Sequence, residues 1–270
     1  MQWKACLAVV ALLCAAPATA DEAAWPDIRH QLYGERVLHP AAGVITLAAP
    51  YRTGNDARTV IGAEVAAPPG RMLSAVTLVL DNNPMPVSTV FRLAEPQARF
   101  RFDATLRING QTPLHVVAET SDGQLFVADG YVKTSGQGAC AAPPVGDPAL
   151  ALATLGQMTI AVGETGTLPL RSALANLRRD DMRMTLGIRH PSHSGMQMDQ
   201  ISLLFIPMRY VETVQIGLDG RRYVDVTGSI SLSEDPELSL SIPAATRAID
   251  VTMTDTDGTT STAERRLAAW

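Results

Sequence analysis

Cysteine and lysine are the scarce residues of this chain. The 270 residues include three cysteines, Cys6, Cys14 and Cys140, and lysine occurs only at Lys4 and Lys133. The remaining cations are arginines scattered without a basic cluster, which argues against nucleic acid or an anionic membrane as a partner. A net charge of −5 speaks mainly for solubility. Beyond the N-terminus no segment approaches the roughly 20 consecutive apolar residues of a membrane span. Catalytic signatures are missing too: no nucleophile elbow, no Gly-rich phosphate loop, no paired His/Cys zinc spacing. Asp255-Thr256-Asp257-Gly258 lacks the alternating ligands and distal Glu of a calcium loop and reads as a hairpin turn. No enzymatic activity and no tightly bound cofactor are expected.

Residues 1–20 read as an export leader. Lys4 gives the positive start, Leu7 to Ala16 the short apolar run, and Ala18-Thr19-Ala20 the small-residue cleavage pattern. Cleavage after Ala20 removes Cys6 and Cys14. Asp21, not a cysteine, follows the cut, so a lipid anchor is not expected. The mature product is expected in the periplasm, with Cys140 its single thiol.

The pattern along the chain is mostly that of strands. Trp25, Ile28 and Leu32 fall at helical spacing, with Pro26 suited to a first turn and Gly34 to a stop. From Ala98 to Ile108, Phe100, Phe102, Ala104, Leu106 and Ile108 alternate with Arg99, Arg101, Asp103, Thr105 and Arg107. That period of two predicts an antiparallel strand with one wet face. Asp122-Gly123, Asp219-Gly220 and Asp257-Gly258 mark hairpins, and Met182, Met184, Leu186 and Ile188 alternate again. The expected fold is all-β: two immunoglobulin-like sandwiches with a short N-terminal helix. The expected boundaries are a first sandwich over 21–134, an arm over 135–148 and a second sandwich over 149–270.

The arm holds Cys140. Gly136, Gly138, Ala139, Ala141, Pro143 and Pro144 surround it, with no bulky side chain to pack over the sulfur. A thiol without a second cysteine forms no internal disulfide. Six extended residues reach about 20 Å, so the arm is expected to be mobile, with Pro143-Pro144 holding it away from the second sandwich. No neighbouring acid or His lowers the thiol pKa, which leaves only a few per cent thiolate near neutrality. These features favour a passive attachment point activated by a partner. An incidental linker cysteine, an intermolecular disulfide and a redox sensor remain open on the residues alone.

The segment Val132-Lys133-Thr134-Ser135-Gly136-Gln137-Gly138-Ala139-Cys140 resembles the Gly-Gly-Cys-Gly carrier tail of SoxY. Trp25-Pro26-Asp27-Ile28-Arg29, Leu78-Val79-Leu80-Asp81-Asn82-Asn83-Pro84 and Ala118-Glu119-Thr120-Ser121-Asp122-Gly123 extend the likeness. The second half is similar to SoxZ through Ile188-Arg189-His190-Pro191, Ser194-Gly195, Leu232-Ser233-Glu234-Asp235-Pro236 and Asp255-Thr256-Asp257-Gly258. The chain therefore looks like the fused SoxYZ-like carriers associated with quinoprotein dehydrogenases. The resemblance implies a sulfur intermediate held covalently on Cys140 and intramolecular pairing of the two halves. It also implies periplasmic redox enzymes or cytochromes as partners, a PQQ-dependent dehydrogenase system among them. Two departures stand out: the arm is tethered at both ends, and Gln137 and Ala139 interrupt the usual glycines. Two rival readings remain. One is a docking module for a quinoprotein dehydrogenase with Cys140 unused. The other is a copper-handling site built from His190, His193, Met196 and Met198, whose side chains are soft ligands.

Overall fold

The computed structural model of the chain describes residues 24–144, 146–163 and 181–267; the expected leader and its cleavage point lie outside them. Helix α1 (Trp25–Tyr33) has Pro26 in its first turn, where a missing N–H has no intrahelical partner to lose. It ends at Gly34, whose positive φ of 58° suits glycine and whose N–H closes on His30 O at 2.8 Å. The helix buries none of its residues and rests on the sheet through Trp25, whose ring stacks on the His115 imidazole at 3.9 Å.

The first half continues with β1 (Leu38–Pro40), β2 (Ile45–Ala48), β3 (Thr59–Ala66), β4 (Leu73–Leu80), β5 (Val87–Gln97), β6 (Arg99–Leu106), β7 (Thr112–Thr120) and β8 (Leu125–Val132). A short helix α2 (Pro148–Ala153) follows, capped by the Asp147 carboxylate, which accepts from the N–H groups of Ala149 and Leu150. The second half contains β9 (Met158–Gly163), β10 (Asp181–Ile188), β11 (Val211–Leu218), β12 (Arg221–Thr227), β13 (Glu237–Pro243), β14 (Ala248–Asp255) and β15 (Thr260–Arg266). Asp219 and Gly220, both at positive φ, turn β11 into β12 as the Asp-Gly pair predicts.

Each half is a two-layer β-sandwich, and the two are joined edge to edge in both layers. One layer is a nine-stranded sheet ordered β1-β8-β7-β4-β5-β12-β11-β14-β15; the other has six strands ordered β2-β3-β6-β13-β10-β9. The seam is β5 against β12, Val90 to Leu93 facing Thr227 to Val224, and β6 against β13, Phe102 to Ala104 facing Leu240 to Leu238. Edges left unpaired would be templates for foreign strands; here each half covers the other's. A single apolar core runs through both, from Phe91, Phe100 and Phe102 to Met184, Leu240 and Ile249. Burying a side chain of this size contributes about 1.5–3 kcal/mol, so separating the halves would expose an extensive apolar seam.

The seam corrects one sequence expectation. The apolar face of β6 is buried as read, yet Asp103, Thr105 and Arg107 of the expected wet face are buried too. The reason is the second half. Arg183 Nη2 donates to Asp103 Oδ2 at 2.7 Å, Thr105 Oγ1 accepts from Ser233, and Arg107 reaches carbonyls of residues 191–192 and 230–232. Among the described residues no helix is long and apolar enough to cross a membrane.

Candidate functional site at Cys140

Cys140 has no solvent-exposed surface. The pocket is assembled from the turn after β4, the end of β6 and a loop of the second half. Asn83, itself buried, donates through Nδ2 to Arg107 O at 2.8 Å and Ser231 Oγ at 2.9 Å. Its Oδ1 accepts the Asn109 N–H at 2.9 Å. Asn109, fixed in this way, takes two N–H groups of the arm: its carbonyl accepts from Gly138 at 2.6 Å and its Oδ1 from Cys140 at 3.2 Å. Gly138 holds φ 85°, a left-handed conformation that folds the arm back so that Ala141 and Ala142 both donate to its carbonyl.

Clasps on either side complete the closure. Asp56 accepts from the N–H groups of Ser135 and Gly136 and from the Ser135 hydroxyl. Burial pushes the Asp56 carboxyl up, but these bonds and one from Thr53 outweigh it and hold its pKa below the usual value. From the second half, the Ser194 hydroxyl donates to Cys140 O, and Gln197 Nε2 donates to Ala142 O at 2.9 Å. Further along, Gly146 N–H donates to Glu234 Oε1 at 3.2 Å.

Burial pushes the Cys140 thiol up to about 11, against the opposing pull of the Arg107 guanidinium. At neutral pH it is a protonated thiol, the unreactive form.

Three expectations are corrected here. The thiol is buried, not presented. The arm residues Gly136, Gly138, Ala139 and Ala141 form an anchored turn, not a free tether, and Pro143 and Pro144 follow directly on its last bond at Ala142. The arm also lies against the second half instead of being held away from it. One physical reason covers all three: small neighbours that cannot cover a sulfur themselves let the chain sink close enough for other segments to cover it. The residues that fix the arm, Asn83, Asn109, Ser194 and Gln197, and Arg107, whose charge acts on the thiol, were not singled out as site residues from sequence, although the Asn82-Asn83-Pro84 and Ser194-Gly195 motifs contain two of them.

The four soft-ligand residues are placed apart in environment. His190 is 1% exposed. Its Nδ1 accepts the Ser192 N–H at 2.9 Å, and its Nε2 faces Asp255 Oδ2 at 3.4 Å, so both ring nitrogens are engaged within the fold. His193 is half-buried with Nδ1 against Gln197 Oε1 at 3.1 Å, whereas Met196 and Met198 are exposed. No group of three or more His, Cys, Asp or Glu residues able to hold a metal ion occurs among the described residues.

Burial drives the His190 pKa down from 6.5 to about 4, although Asp255 pulls the other way. The unfolded chain therefore binds a proton that the folded protein refuses. Stability is complete above about pH 6.5 and falls as pH drops toward 4, by about 3 kcal/mol at most. Urea midpoints at pH 7 and pH 4.5 should show this loss in the parent protein and a much smaller one in His190→Gln. An equal loss in both would place the acid sensitivity elsewhere.

Next to the cysteine clasp, residues 196–208 expose Met196, Met198, Ile201, Leu203, Leu204, Phe205 and Met208, with Ile201 94% exposed. Asp199 stitches this loop by accepting from the N–H groups of Ile201 and Ser202. Leu203 sits at φ 58°, a strained conformation for a leucine.

Comparison with known proteins places this architecture. The family model described as sulfur oxidation protein SoxY matches residues 29–140, ending on Cys140, and that described as sulphur oxidation protein SoxZ matches residues 172–266. Among solved structures, the sulfur carrier protein SoxY from Chlorobium limicola f thiosulfatophilum is 18% identical, with a TM-score of 0.37, over 42% of this chain and 97% of that one. A superoxide reductase (neelaredoxin) from Ignicoccus hospitalis is 15% identical, with a TM-score of 0.28, over 34% of this chain and 80% of that one. No curated protein matches the chain. The two family matches place this chain among the Sox sulfur oxidation proteins. More specifically, it is a fused SoxYZ-like protein, with the SoxY part and the SoxZ part in one chain.

Proposed function

We propose that this is an exported carrier that holds a sulfur-containing intermediate covalently on Cys140 and hands it between periplasmic redox partners. The observation that carries the reading is the position of Cys140: it ends the SoxY match and is enclosed where the arm meets the SoxZ half. Loading thiosulfate would join the Cys140 sulfur to the outer thiosulfate sulfur. The thiol proton leaves to solvent, and two electrons leave to a redox partner such as a cytochrome. The product is a Cys140 S-thiosulfonate. Burial gives such a carrier a resting state in which its thiol is shielded from stray oxidants. A partner has to release the Ser194 and Gln197 clasps to reach it, and the exposed apolar loop at 196–208 flanks that point of release. A quinoprotein dehydrogenase system is the proposed context alongside sulfur oxidation.

The docking-module reading is favoured by the same loop and by the inert thiol. Intact mass of the protein, purified from its host without reductant, separates the two. The carrier reading expects a fraction bearing added sulfur or thiosulfonate mass that reductant removes. A population consisting only of the unmodified thiol, from cells actively oxidising substrate, would favour docking.

A further inference from the structure

Arg107 is a buried charge that carriage as described leaves unused. It is 3% exposed, and among the described residues its guanidinium donates to main-chain carbonyls: Ser192 O at 2.6 Å, Leu232 O at 2.9 Å, and Ile230 O and Pro191 O at 3.5 Å. The arginine ion pairs among the described residues all involve other arginines. Carbonyls satisfy its N–H groups but leave its net charge, and a buried charge is expensive to keep unless opposite charges act on it. The anionic or ionisable groups it senses are Cys140 first and Glu234 second.

Arg107 and Cys140 also share their supports. Ser192 accepts from Arg107, and Ser194, two residues on, donates to Cys140 O; Asn109, two residues after Arg107, accepts the Cys140 N–H. We propose that Arg107 is the counter-ion for an anionic sulfur group on Cys140, so that the site prefers cargo ending in a persulfide or sulfonate-type anion over neutral or cationic cargo. The proposal rests on Cys140 being the attachment atom. A guanidinium suits this role because its charge does not titrate in the working range and remains after its N–H groups are bonded to carbonyls.

The test uses two methanethiosulfonate reagents of similar length and opposite charge, 2-sulfonatoethyl and 2-(trimethylammonio)ethyl. In each case the Cys140 thiolate attacks the sulfenyl sulfur, a new disulfide forms, the S–SO2 bond breaks and methanesulfinate leaves with the electron pair; the thiol proton goes to solvent. Both reagents require the same opening of the arm, so the ratio of their rates cancels that step and reports the charge at the sulfur. The ratio of anionic to cationic rate should exceed that of a free peptide spanning residues 134–144 by about tenfold, the equivalent of one pKa unit. It should persist in Arg107→Lys and fall to the peptide value in Arg107→Met. A parent ratio equal to that of the peptide overturns the proposal even where Arg107→Met does not fold, and so does a folded Arg107→Met that keeps the parent ratio. Failure of the carrier reading would show instead as absence of cargo on protein from cells, with this charge preference intact.

Discussion

Cys140→Ser is expected to give a folded protein that accepts no sulfur cargo at all. The hydroxyl is close in size but does not hold a sulfane or form a disulfide, so loading falls to zero and not by a factor. Because the site is buried, the substitution also touches stability. A hydroxyl enclosed without a good acceptor costs about 1–3 kcal/mol, more than the roughly ±0.5 kcal/mol of a surface change. Cys140→Ala, which buries no polar atom, separates the two effects: it should load nothing while losing less stability. Mass spectrometry of protein exposed to its native partners reads the loading, and urea unfolding reads the stability. Full complementation of a deletion strain by Cys140→Ser would end the carrier reading.

The native thiol should resist labelling until its clasps are loosened. A pKa of about 11 against 9.0 for an ordinary thiol lowers the thiolate fraction about a hundredfold at neutral pH, and burial slows access further. Maleimide should therefore label the folded protein at least about a hundredfold more slowly than a small thiol. Ser194→Ala with Gln197→Ala removes both side-chain hydrogen bonds from the second half to the arm backbone at Cys140 and Ala142. At a net of about 0.5–1.5 kcal/mol each, their loss should raise labelling roughly tenfold. The same pKa has a thermodynamic consequence. Between about pH 9 and pH 11 the unfolded chain loses the thiol proton while the folded protein keeps it, so stability falls as pH rises through that window, by up to about 3 kcal/mol. The fall should be smaller in Cys140→Ala, where the buried tyrosines Tyr33 and Tyr223, also raised by burial, still contribute. Labelling of the parent protein at the free-thiol rate, or a double variant that labels no faster, would refute the closed site.

The strands were legible because their signals are local. Alternation over Ala98 to Ile108 placed β6, and the Asp-Gly pairs placed hairpin turns at Asp122-Gly123, Asp219-Gly220 and Asp257-Gly258. Glycine at positive φ fits all three turns. Pro26 and Gly34 bracketed α1 for equally local reasons. The errors fell where two distant segments meet. Asp103, Thr105 and Arg107 read as solvent-facing because alternation reports only that one face differs from the other; it does not reveal that the second half covers the polar one.

Sequence alone determined the all-β class, the likeness to SoxY and SoxZ, and the choice of Cys140 as the sulfur to watch, since composition and short motifs carry that information. Tertiary structure decided the state of that sulfur. Asn109 lies 31 positions from Cys140 along the chain, and Ser194 lies 54. Pairing of β7 with β8 inside the first half brings the arm back to Asn109, and the joining of β5 to β12 and of β6 to β13 sets the second half, with Ser194, beside it. Burial and electrostatic field at an atom are sums over neighbours in space, and for Cys140 most of those neighbours are remote in sequence.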